Sequence, residues 1–468
     1  MVFSSAIFLF IFLPVVFGIC LLPLSLRVKN GVLVAASLFF YAFGEPVYVF
    51  LMIASTLFNY LAGVILGKIK TEGTGKAVLV LAVLVNVALI GVFKYAGFLV
   101  TTCNFLFHRN WPVPEIPLPI GISFFTFQAM SYVIDVFRDR ATVQKSFWKL
   151  LLYISFFPQL IAGPIIRYHD VASQLTERTM ETDQVVRGMQ RLIRGLFKKL
   201  WIANTMGSMA DAVYVLPIGS YHSLVGWLGA VCYTLQIYYD FSGYSDMAIG
   251  LAGMFGFSFG ENFDHPYAAL DIREFWRKWH ISLSSWFKEY VYIPLGGSHR
   301  GKVRTECNKL IVFALTGIWH GADWTFVMWG LFHGLMVVLE DTVLPVRKLS
   351  SKLLRNLYVW LVVVVAFVFF RADGVSQAFA MFHCMFAGVD MNSASVSFLS
   401  GLLSFYHVLA VTCAVLFSYP VSAWIGKKLP ADGKKRETVA ALSSIVMLVL
   451  CMIHLASAAY NPFIYFRF

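Results

Sequence analysis

Apolar segments long enough to cross a lipid bilayer recur along the whole chain, and they restrict it to a membrane environment. Roughly a dozen such segments can be distinguished, and some are too short or too interrupted to be simple spans. The composition agrees, because 59% of the residues are hydrophobic and only 13% are charged, whereas a soluble domain is about half apolar and about a quarter charged. The sequence therefore predicts an all-α polytopic membrane protein, with residues 1–468 forming a single membrane domain.

The basic residues lie mostly in short loops between the apolar segments, which is typical of the cytoplasmic loops of membrane proteins. The net charge of +12 is explained by this bias, so no nucleic-acid partner is predicted. Residues 3–24 lack a basic start and a small-residue cleavage site, which predicts a retained helix and not a signal peptide. The seven cysteines are scattered, so neither a disulfide framework nor a metal site is indicated.

The loop charges also predict the orientation of both ends. Arg27 and Lys29 follow the first span, which places the N-terminus on the extracytoplasmic side. Residues 426–437, GKKLPADGKKRE, form the clearest cytoplasmic loop, and a last apolar span at 438–459 follows them. A single crossing from that loop brings the aromatic tail NPFIYFRF, residues 461–468, to the extracytoplasmic side.

Two segments in the middle of the chain are too polar to span a membrane. Residues 187–202, RGMQRLIRGLFKKLWI, carry five basic residues on a helical period. This pattern predicts an amphipathic helix on the cytoplasmic surface, with its basic face toward lipid headgroups. Residues 271–301 contain three tryptophans among many polar residues, which predicts re-entrant or interfacial helices.

His320 is the strongest candidate for chemistry, because it lies at the junction of two apolar segments in LTGIWHGADWTFVMWGLFHGL. An imidazole can take a proton from a hydroxyl nucleophile near neutral pH. The residues alone are equally compatible with a structural histidine whose imidazole N–H donates a hydrogen bond to a backbone carbonyl at a helix break. His333 lies within a more regular helix and is predicted to pack in the core.

His280 is a second candidate, because Arg273, Arg277 and Ser284 recur with it at helical spacing and share one predicted helix face. One interpretation is a polar tunnel wall whose arginines suit the phosphates of a nucleotide-bearing donor. The other is an interfacial helix with a belt of arginine and tryptophan.

Asp240 and Asp246 lie in the otherwise apolar stretch LQIYYDFSGYSDMAIGLAGMFGF. Buried carboxylates there would orient a histidine or line a polar path, or they would cap a helix broken at Ser242 and Gly243. The stretch FFPQLIAGPIIRYHD pairs two proline-containing turns with Gln159, which predicts a broken helix. No GxSxG, Walker, GxGxxG or HExxH motif is present, so the common hydrolase, NTPase, dinucleotide and zincin classes have no support.

Five motifs occur in the order found in membrane-bound O-acyltransferases: FFPQLIAGPIIRY, YYDFSGYSDMAIGLAGMFGF, ENFDHPY, EFWRKWHISLSSWFKEYVYIPLGG and GIWHGADWTFVMWGLFHG. The chain most resembles the bacterial branch that contains alginate and peptidoglycan O-acetyltransferases, and the resemblance covers nearly its whole length. It implies a ring of roughly a dozen transmembrane and re-entrant helices around a thinned centre that is pierced by a tunnel. It also places His320 at the invariant histidine of the family and His280 at the second, less uniform one. The residues expected to line the tunnel are Asp240, Asp246, Arg273, Arg277, Ser284, Gln159, Trp319 and Asn262.

The resemblance implies an enzyme of the bacterial cytoplasmic (inner) membrane that takes an acetyl group from a cytoplasmic donor, acetyl-CoA, and holds no bound cofactor. It implies membrane lipids as surroundings, an extracytoplasmic SGNH-type acetyltransferase as partner and a cell-surface polysaccharide as final acceptor. Relatives that transfer D-alanine use a small partner peptide whose end resembles F-x-Y-x-x-F. In this chain Phe463, Tyr465 and Phe468 match that pattern within the tail.

Tyr465 is therefore a candidate acyl carrier. A phenol has a pKa of about 10 and a thiol one of about 8.5, so an aryl ester keeps much of the transfer potential of a thioester. A phenol is largely protonated at neutral pH and needs a general base such as His320. The alternative is an aromatic belt that anchors the tail at the membrane interface.

Two other functions remain open on the sequence. One is D-alanyl transfer to a teichoic-type polymer, although that system normally takes its tyrosine from another polypeptide. The other is a channel or secondary transporter, which would use the same polar tunnel without covalent chemistry.

Overall fold

A computed structural model describes residues 1–69, 71–421 and 433–457, and every regular element among them is helical. The all-α prediction is confirmed for this part of the chain. Two compact units can be distinguished: unit 1 contains Met1–Leu192 and Ser245–Gly260, and unit 2 contains the described residues of Ile193–Tyr244 and Glu261–Phe468. The single membrane domain and the ring of helices around a tunnel stay predictions.

The helices follow one another with short connections. Those that begin in unit 1 are Phe8–Leu21, Leu26–Ala42, Tyr48–Leu66, Glu72–Phe107, Ile122–Phe137, Phe147–Ser155, Phe157–Leu160, Tyr168–Val171 and Thr182–Phe197. Those that begin in unit 2 are Asn204–Tyr214, Ser223–Met254, Ile272–Lys278, Ile281–Phe287, Lys302–His320, Trp324–Thr342, Lys352–Arg371, Val375–Ala387, Ser393–Leu402, Phe405–Phe417 and Gly433–Ala456. Turns of π-helix lie at Phe8–Phe12, Gly91–Tyr95, Lys198–Ala203 and Lys288–Tyr292, and 3₁₀ turns lie at Ile218–Ser220, Pro266–Ala268 and Val346–Lys348.

Among the described residues, four helices are long and apolar enough to cross a membrane. They are Tyr48–Leu66, Glu72–Phe107, Lys352–Arg371 and Lys435–Ala456. A fifth span results if Ser393–Leu402 and Phe405–Phe417, which meet at an angle of 76°, cross the membrane as one bent pair. The other apolar helices are shorter, in agreement with the short and interrupted segments of the sequence.

The core of unit 1 is the helix Ile122–Phe137, which is buried at every position from 122 to 136. Its buried residues include polar ones, among them Gln128, Ser131 and Asp135, so the helix is enclosed by protein on all sides. Two other helices of the unit, Tyr48–Leu66 and Glu72–Phe107, are joined by a reciprocal amide pair. Asn59 Nδ2 donates to Asn86 Oδ1 (3.2 Å), and Asn86 Nδ2 donates to Asn59 Oδ1 (2.8 Å). Inside apolar helices, polar pairs of this kind hold neighbouring helices together.

In unit 2, buried polar side chains fix the segment that leads to His280. The Tyr267 hydroxyl donates to the carbonyl oxygen of Thr234 (2.5 Å). The Asn356 side-chain amide donates to the carbonyl oxygens of Tyr267 (2.8 Å) and Ala269 (2.9 Å). These bonds satisfy carbonyls that lie outside regular helix, so the 3₁₀ turn Pro266–Ala268 is held in one place.

The basic segment 187–202 is helical, as predicted, but only part of its basic face is exposed. Arg187 and Arg194 are exposed to the surroundings. Arg191 is half-buried and Lys199 is buried. The prediction that the basic face points to lipid headgroups is therefore wrong for Arg191 and Lys199.

The last described helix, Gly433–Ala456, begins within the segment 426–437 that the charges predict to be a loop. A helix that is long and apolar enough to span covers most of 438–459, but it starts before residue 438, and the crossing itself stays a prediction. The tail residues Phe463, Tyr465 and Phe468 lie outside the described residues.

Candidate functional site

His320 is the last residue of the helix Lys302–His320. The helix ends there because Gly321 is extended and Asp323 caps the next helix, its carboxylate accepting a hydrogen bond from the N–H of Thr325 (2.8 Å). The sequence WHGAD thus contains a helix end, a tight connection and a helix start. The prediction that His320 lies at a junction of two apolar segments is confirmed.

The two helices of this hairpin, Lys302–His320 and Trp324–Thr342, approach each other closely. A Cβ atom at Gly317 would overlap the carbonyl oxygen of Phe326, and a Cβ atom at Gly330 would overlap that of Phe313. Only glycine permits this backbone contact, so the hairpin geometry that presents His320 depends on both positions.

Aromatic rings surround the His320 imidazole. Its centroid lies 4.9 Å from the ring of Trp319, 5.0 Å from that of Trp329 and 5.1 Å from that of Phe370, all at steep interplanar angles. His320 is only 7% exposed. Edge-to-face packing of this kind holds a ring in one orientation, which is what a proton-transferring imidazole requires.

His280 lies at a break between two short helices, Ile272–Lys278 and Ile281–Phe287. Its backbone is left-handed, with φ of 43°, and its side chain is fully buried. A non-glycine residue in this region is uncommon and costs conformational energy. The predicted single helix face carrying His280, Arg273, Arg277 and Ser284 is therefore wrong, because the chain does not continue as one helix through Trp279 and His280.

Asn262 holds the break together. Its backbone carbonyl accepts from the N–H of Ile281 (2.9 Å), and its side-chain oxygen accepts from the Ser282 hydroxyl (2.8 Å). The same side-chain oxygen lies 3.2 Å from Nδ1 of His280. Because an amide oxygen only accepts hydrogen bonds, Nδ1 of His280 carries the proton and Nε2 offers a lone pair.

The rings of His280 and His320 both lie near the indole of one tryptophan, Trp319. The Trp319 ring centroid lies 6.1 Å from that of His280 and 4.9 Å from that of His320. Within the described residues, Nε2 of His280 and the indole Nε1 of Trp329 are buried without a hydrogen-bond partner. Buried polar atoms are normally paired, so we propose these two atoms as hydrogen-bond partners of a bound molecule.

A cavity of about 240 Å³ in unit 2 is lined by Arg273, Arg277 and Ser284, three of the predicted tunnel residues. Two of its wall residues lie four positions from a histidine. Ser284 follows His280 by four residues, and its N–H donates to the His280 carbonyl (3.1 Å). Thr316 precedes His320 by four residues in the same helix, and residues four apart are neighbours on a helix surface. Neither His280 nor His320 belongs to the cavity wall.

The cavity combines an apolar floor with cations. Arg273 and Lys309 both pair with Asp341, and Lys309 also pairs with Glu306 (2.9 Å). The two other cations of the wall form no ion pair with a carboxylate of the described residues: Arg277 and Lys288. They remain available for an anionic group. The floor consists of Trp276, Leu283, Phe287, Val312, Phe313 and Val337.

Asp240 and Asp246 are held by the basic helix and do not cap a helix break. The helix Ser223–Met254 runs without interruption through Ser242 and Gly243, so the predicted break there is wrong. In unit 2, Lys199 Nζ lies 2.7 Å from Asp240 Oδ1, with both side chains buried. In unit 1, Arg191 Nη2 lies 2.9 Å from Asp246 Oδ1. A buried charge must be paired, which explains why these aspartates occur in an apolar stretch.

His333 packs in the core as predicted. It is fully buried, and its ring lies 5.0 Å from that of Trp276 and 5.2 Å from that of Trp329. Trp276 Nε1 donates to its Nδ1 (3.4 Å). The indole of Trp329 therefore lies between His333 and His320.

Gln159 belongs to unit 1, where it lies buried in the short helix Phe157–Leu160 and donates to the carbonyl of Tyr153 (2.5 Å). The predicted helix break at this proline-containing stretch is confirmed, since Phe147–Ser155 ends just before it. Every other tunnel candidate except Asp246 belongs to unit 2.

Sequence reasoning missed Trp329, Lys288 and Lys309. Lys309 ends the polar first half of the helix Lys302–His320, KVRTECNK, so it does not stand out from the other charges there. Trp329 carries no signal either, because a tryptophan within an apolar helix is indistinguishable from ordinary core packing.

Comparison with known proteins gives a consistent result. The sequence model of MBOAT, the membrane-bound O-acyltransferase family, matches residues 90–376. The "Probable alginate O-acetylase AlgI" of Azotobacter vinelandii is 35% identical over 100% of both chains. The peptidoglycan O-acetyltransferase of Helicobacter pylori is 34% identical over 86% of this chain and 82% of its own. A teichoic acid D-alanyltransferase of Streptococcus thermophilus is 28% identical over 50% of this chain and 59% of its own.

The matched region contains both histidines, Asn262 and the cation-lined cavity, so the likeness covers the site as well as the helices around it. With a match across more than half of the chain and relatives that align over its full length, this polytopic protein belongs to the membrane-bound O-acyltransferase family and is an O-acyltransferase.

Proposed function

We propose that this O-acyltransferase takes an acetyl group from acetyl-CoA and transfers it to Tyr465, from which an extracytoplasmic SGNH-type partner passes it to a cell-surface polysaccharide. The observation that carries the proposal is the pair of buried histidines whose rings both lie near Trp319, together with a cation-lined cavity whose wall residues Ser284 and Thr316 lie four positions from them. The names of the relatives that align over most of the chain support acetyl as the group and alginate or peptidoglycan as the class of acceptor.

The cavity suits a donor with phosphates at one end and an apolar arm at the other. Arg277 and Lys288 supply unpaired positive charge, and a guanidinium binds phosphate in a forked geometry. The apolar floor accommodates the uncharged arm that carries the thioester. We place the acetyl group beside Thr316 and Ser284, the wall residues that lie four positions from His320 and His280.

In the proposed transfer step, His320 acts as the general base. His320 accepts the proton of the Tyr465 hydroxyl while the phenol oxygen attacks the acetyl carbonyl carbon. The carbon–sulfur bond then breaks, and the thiolate of CoA leaves and takes up the proton from His320. An aryl ester and free CoA result, so that no oxidant, reductant or further reactant is needed.

His280 acts as a positioning residue in this scheme. Asn262 fixes its tautomer, so its buried Nε2 is a hydrogen-bond acceptor directed away from Asn262. We propose that Nε2 accepts a hydrogen bond from an N–H or O–H group of the donor or of the incoming phenol, and thereby orients it toward His320.

The experiment that tests the relay is incubation of the purified protein with radiolabelled acetyl-CoA, followed by denaturing electrophoresis. We expect label on the wild type and none on Tyr465→Phe, because only the phenol oxygen can carry the acetyl group. Tyr460→Phe is the matched control, since it removes a hydroxyl from the same end of the chain, and it should keep the label.

Equal labelling of Tyr465→Phe and wild type would exclude Tyr465 as the carrier. An unlabelled wild type that takes label from a D-alanyl donor would assign D-alanyl transfer instead. If neither donor labels the protein, a covalent relay through this chain is wrong.

A further inference from the structure

Unit 1 contains a second cavity, of about 230 Å³. It is partly open and lies where the first helix, Phe8–Leu21, connects to Leu26–Ala42. Its wall also includes residues from the loop before the helix Thr182–Phe197 and from the segment after Met254. The lining residues used below are Leu24, Leu26, Lys29, Leu33, Arg178 and Phe255.

Arg178 is the principal charge of this cavity and is held in a fixed position. Its Nε donates to the carbonyl of Phe255 (3.1 Å), and its Nη1 donates to the carbonyl of Gln174 (3.2 Å). The guanidinium carbon lies 4.1 Å from the centroid of the Phe257 ring. Both carbonyls are neutral acceptors, so these contacts orient the cation without neutralising it, and Nη2 has no partner among the described residues.

Lys29 supplies a second charge on the wall of the same cavity. Neither Lys29 nor Arg178 forms an ion pair with a carboxylate of the described residues. Burial lowers the pKa of Arg178 to about 10, as expected for a cation removed from water without a counter-charge. A cation that is half-buried in this way is stabilised by an anion that the protein does not supply.

The rest of the wall is apolar. Leu24, Leu26, Leu33 and Phe255 line the cavity together with the two cations. Leu21 and Leu22, which stand in the sequence between the wall residues Cys20 and Leu24, are 58% and 52% exposed and add apolar surface next to these wall residues. A soluble anion would not bury this apolar surface. A phospholipid would, because its phosphate and its acyl chains are joined by only a few atoms.

We propose that this cavity binds an anionic phospholipid. The lipid phosphate lies between Arg178 and Lys29. One acyl chain packs against Leu21 and Leu22 and extends into the bilayer. Basic residues near a membrane surface attract anionic headgroups by about 1 kcal/mol each, and the fixed guanidinium adds hydrogen-bond geometry to that attraction. The site lies in unit 1, and it does not depend on acetyl transfer.

The test is a titration of the purified protein, in a zwitterionic detergent, with phosphatidylglycerol, with bound lipid counted by native mass spectrometry. We expect Lys29→Gln to weaken binding at least about fivefold, and Arg178→Gln to weaken it further. The matched control is Arg27→Gln, because Arg27 is exposed, lies two residues from Lys29 and is not part of the wall. The Arg27→Gln variant should bind phosphatidylglycerol with the same affinity as the wild type.

Two parallel arms separate the sources of the phosphate. Phosphatidylcholine, which has no net charge, should bind more weakly than phosphatidylglycerol, and millimolar inorganic phosphate should not displace the lipid. Displacement by inorganic phosphate, or equal binding of phosphatidylcholine, would overturn the proposal. If Arg178→Gln fails to fold because Gln174 and Phe255 lose their donor, Lys29→Gln decides alone, and equal affinity of Lys29→Gln and Arg27→Gln would refute the site.

Discussion

At the scale of the residue, the two histidines differ in how they are held. His320 is fixed by the faces and edges of Trp319, Trp329 and Phe370, so its orientation is set by packing. His280 is fixed by the amide oxygen of Asn262, so its tautomer is set by a hydrogen bond. Because Nδ1 of His280 faces an acceptor, His280 keeps only Nε2 for a bound molecule. We therefore propose His280 as a positioning residue and His320 as the base.

Replacing His320 by alanine should lower acetyl transfer by about 10²–10⁴-fold, the usual contribution of a general base. The matched control is His383→Ala, since His383 is an exposed histidine of the helix Val375–Ala387, and it should leave the rate unchanged. The measurement is the initial rate of label transfer from acetyl-CoA, with equal amounts of membrane-inserted protein confirmed by size-exclusion chromatography in detergent. A His320→Ala protein that is correctly inserted and fully active would remove His320 from the mechanism.

At the scale of the element, the hairpin of Lys302–His320 and Trp324–Thr342 shows how helix packing supplies the site. Backbone contact at Gly317 and Gly330 brings the helices closer than side chains would permit. The same proximity lets Trp329 of the second helix reach the ring of His320 at the end of the first. The position of the imidazole is therefore a property of the pair of helices and not of either one.

Gly317→Ala should destabilise the protein by about 1–3 kcal/mol, because the added methyl group overlaps the Phe326 carbonyl and the backbone must move. Acetyl transfer should fall as well, since His320 lies one turn away. Gly401→Ala is the control: a Cβ atom there meets nothing within 4 Å, and alanine is the better helix former. The apparent melting temperature in detergent measures both variants. An unchanged value for Gly317→Ala would contradict the close contact of the helices.

Much of the helical architecture and part of the site follow from the sequence. The end of a helix at His320 is readable from glycine and aspartate, which terminate and cap helices. The helix break at His280 cannot be predicted from the sequence, because no glycine or proline lies there and the polar residues keep a helical spacing across it. The long-range partners Lys199 and Asp240 are likewise hidden, since residues forty-one positions apart are brought together only by tertiary packing. The spacing of apolar residues in the sequence predicts local secondary structure, whereas the helix break at His280 and the ion pair of Lys199 with Asp240 depend on how the helices pack against one another.

At the scale of the whole molecule, the charges of the loops predict that 426–437 is cytoplasmic and that the tail is extracytoplasmic. Fusions of alkaline phosphatase and of green fluorescent protein, placed after residue 432 and after Phe468, measure both positions. We expect fluorescence only from the first position and phosphatase activity only from the second. Phosphatase activity at both would place the loop outside, and fluorescence at both would keep Tyr465 in the cytoplasm, where it could not pass an acetyl group outward.

The helix Glu72–Phe107 has a consequence for the membrane around the protein. Its 36 residues correspond to a length of about 54 Å at about 1.5 Å per residue, whereas the hydrocarbon layer is about 30 Å thick. Even a tilt of about 40°, the upper end of the usual range, would leave it about 41 Å tall. The helix is therefore longer than the hydrocarbon layer is thick, and its last three residues, Phe105, Leu106 and Phe107, are all exposed. If these residues lie at the headgroup level, a thicker membrane would cover their apolar side chains and a thinner one would leave them in water.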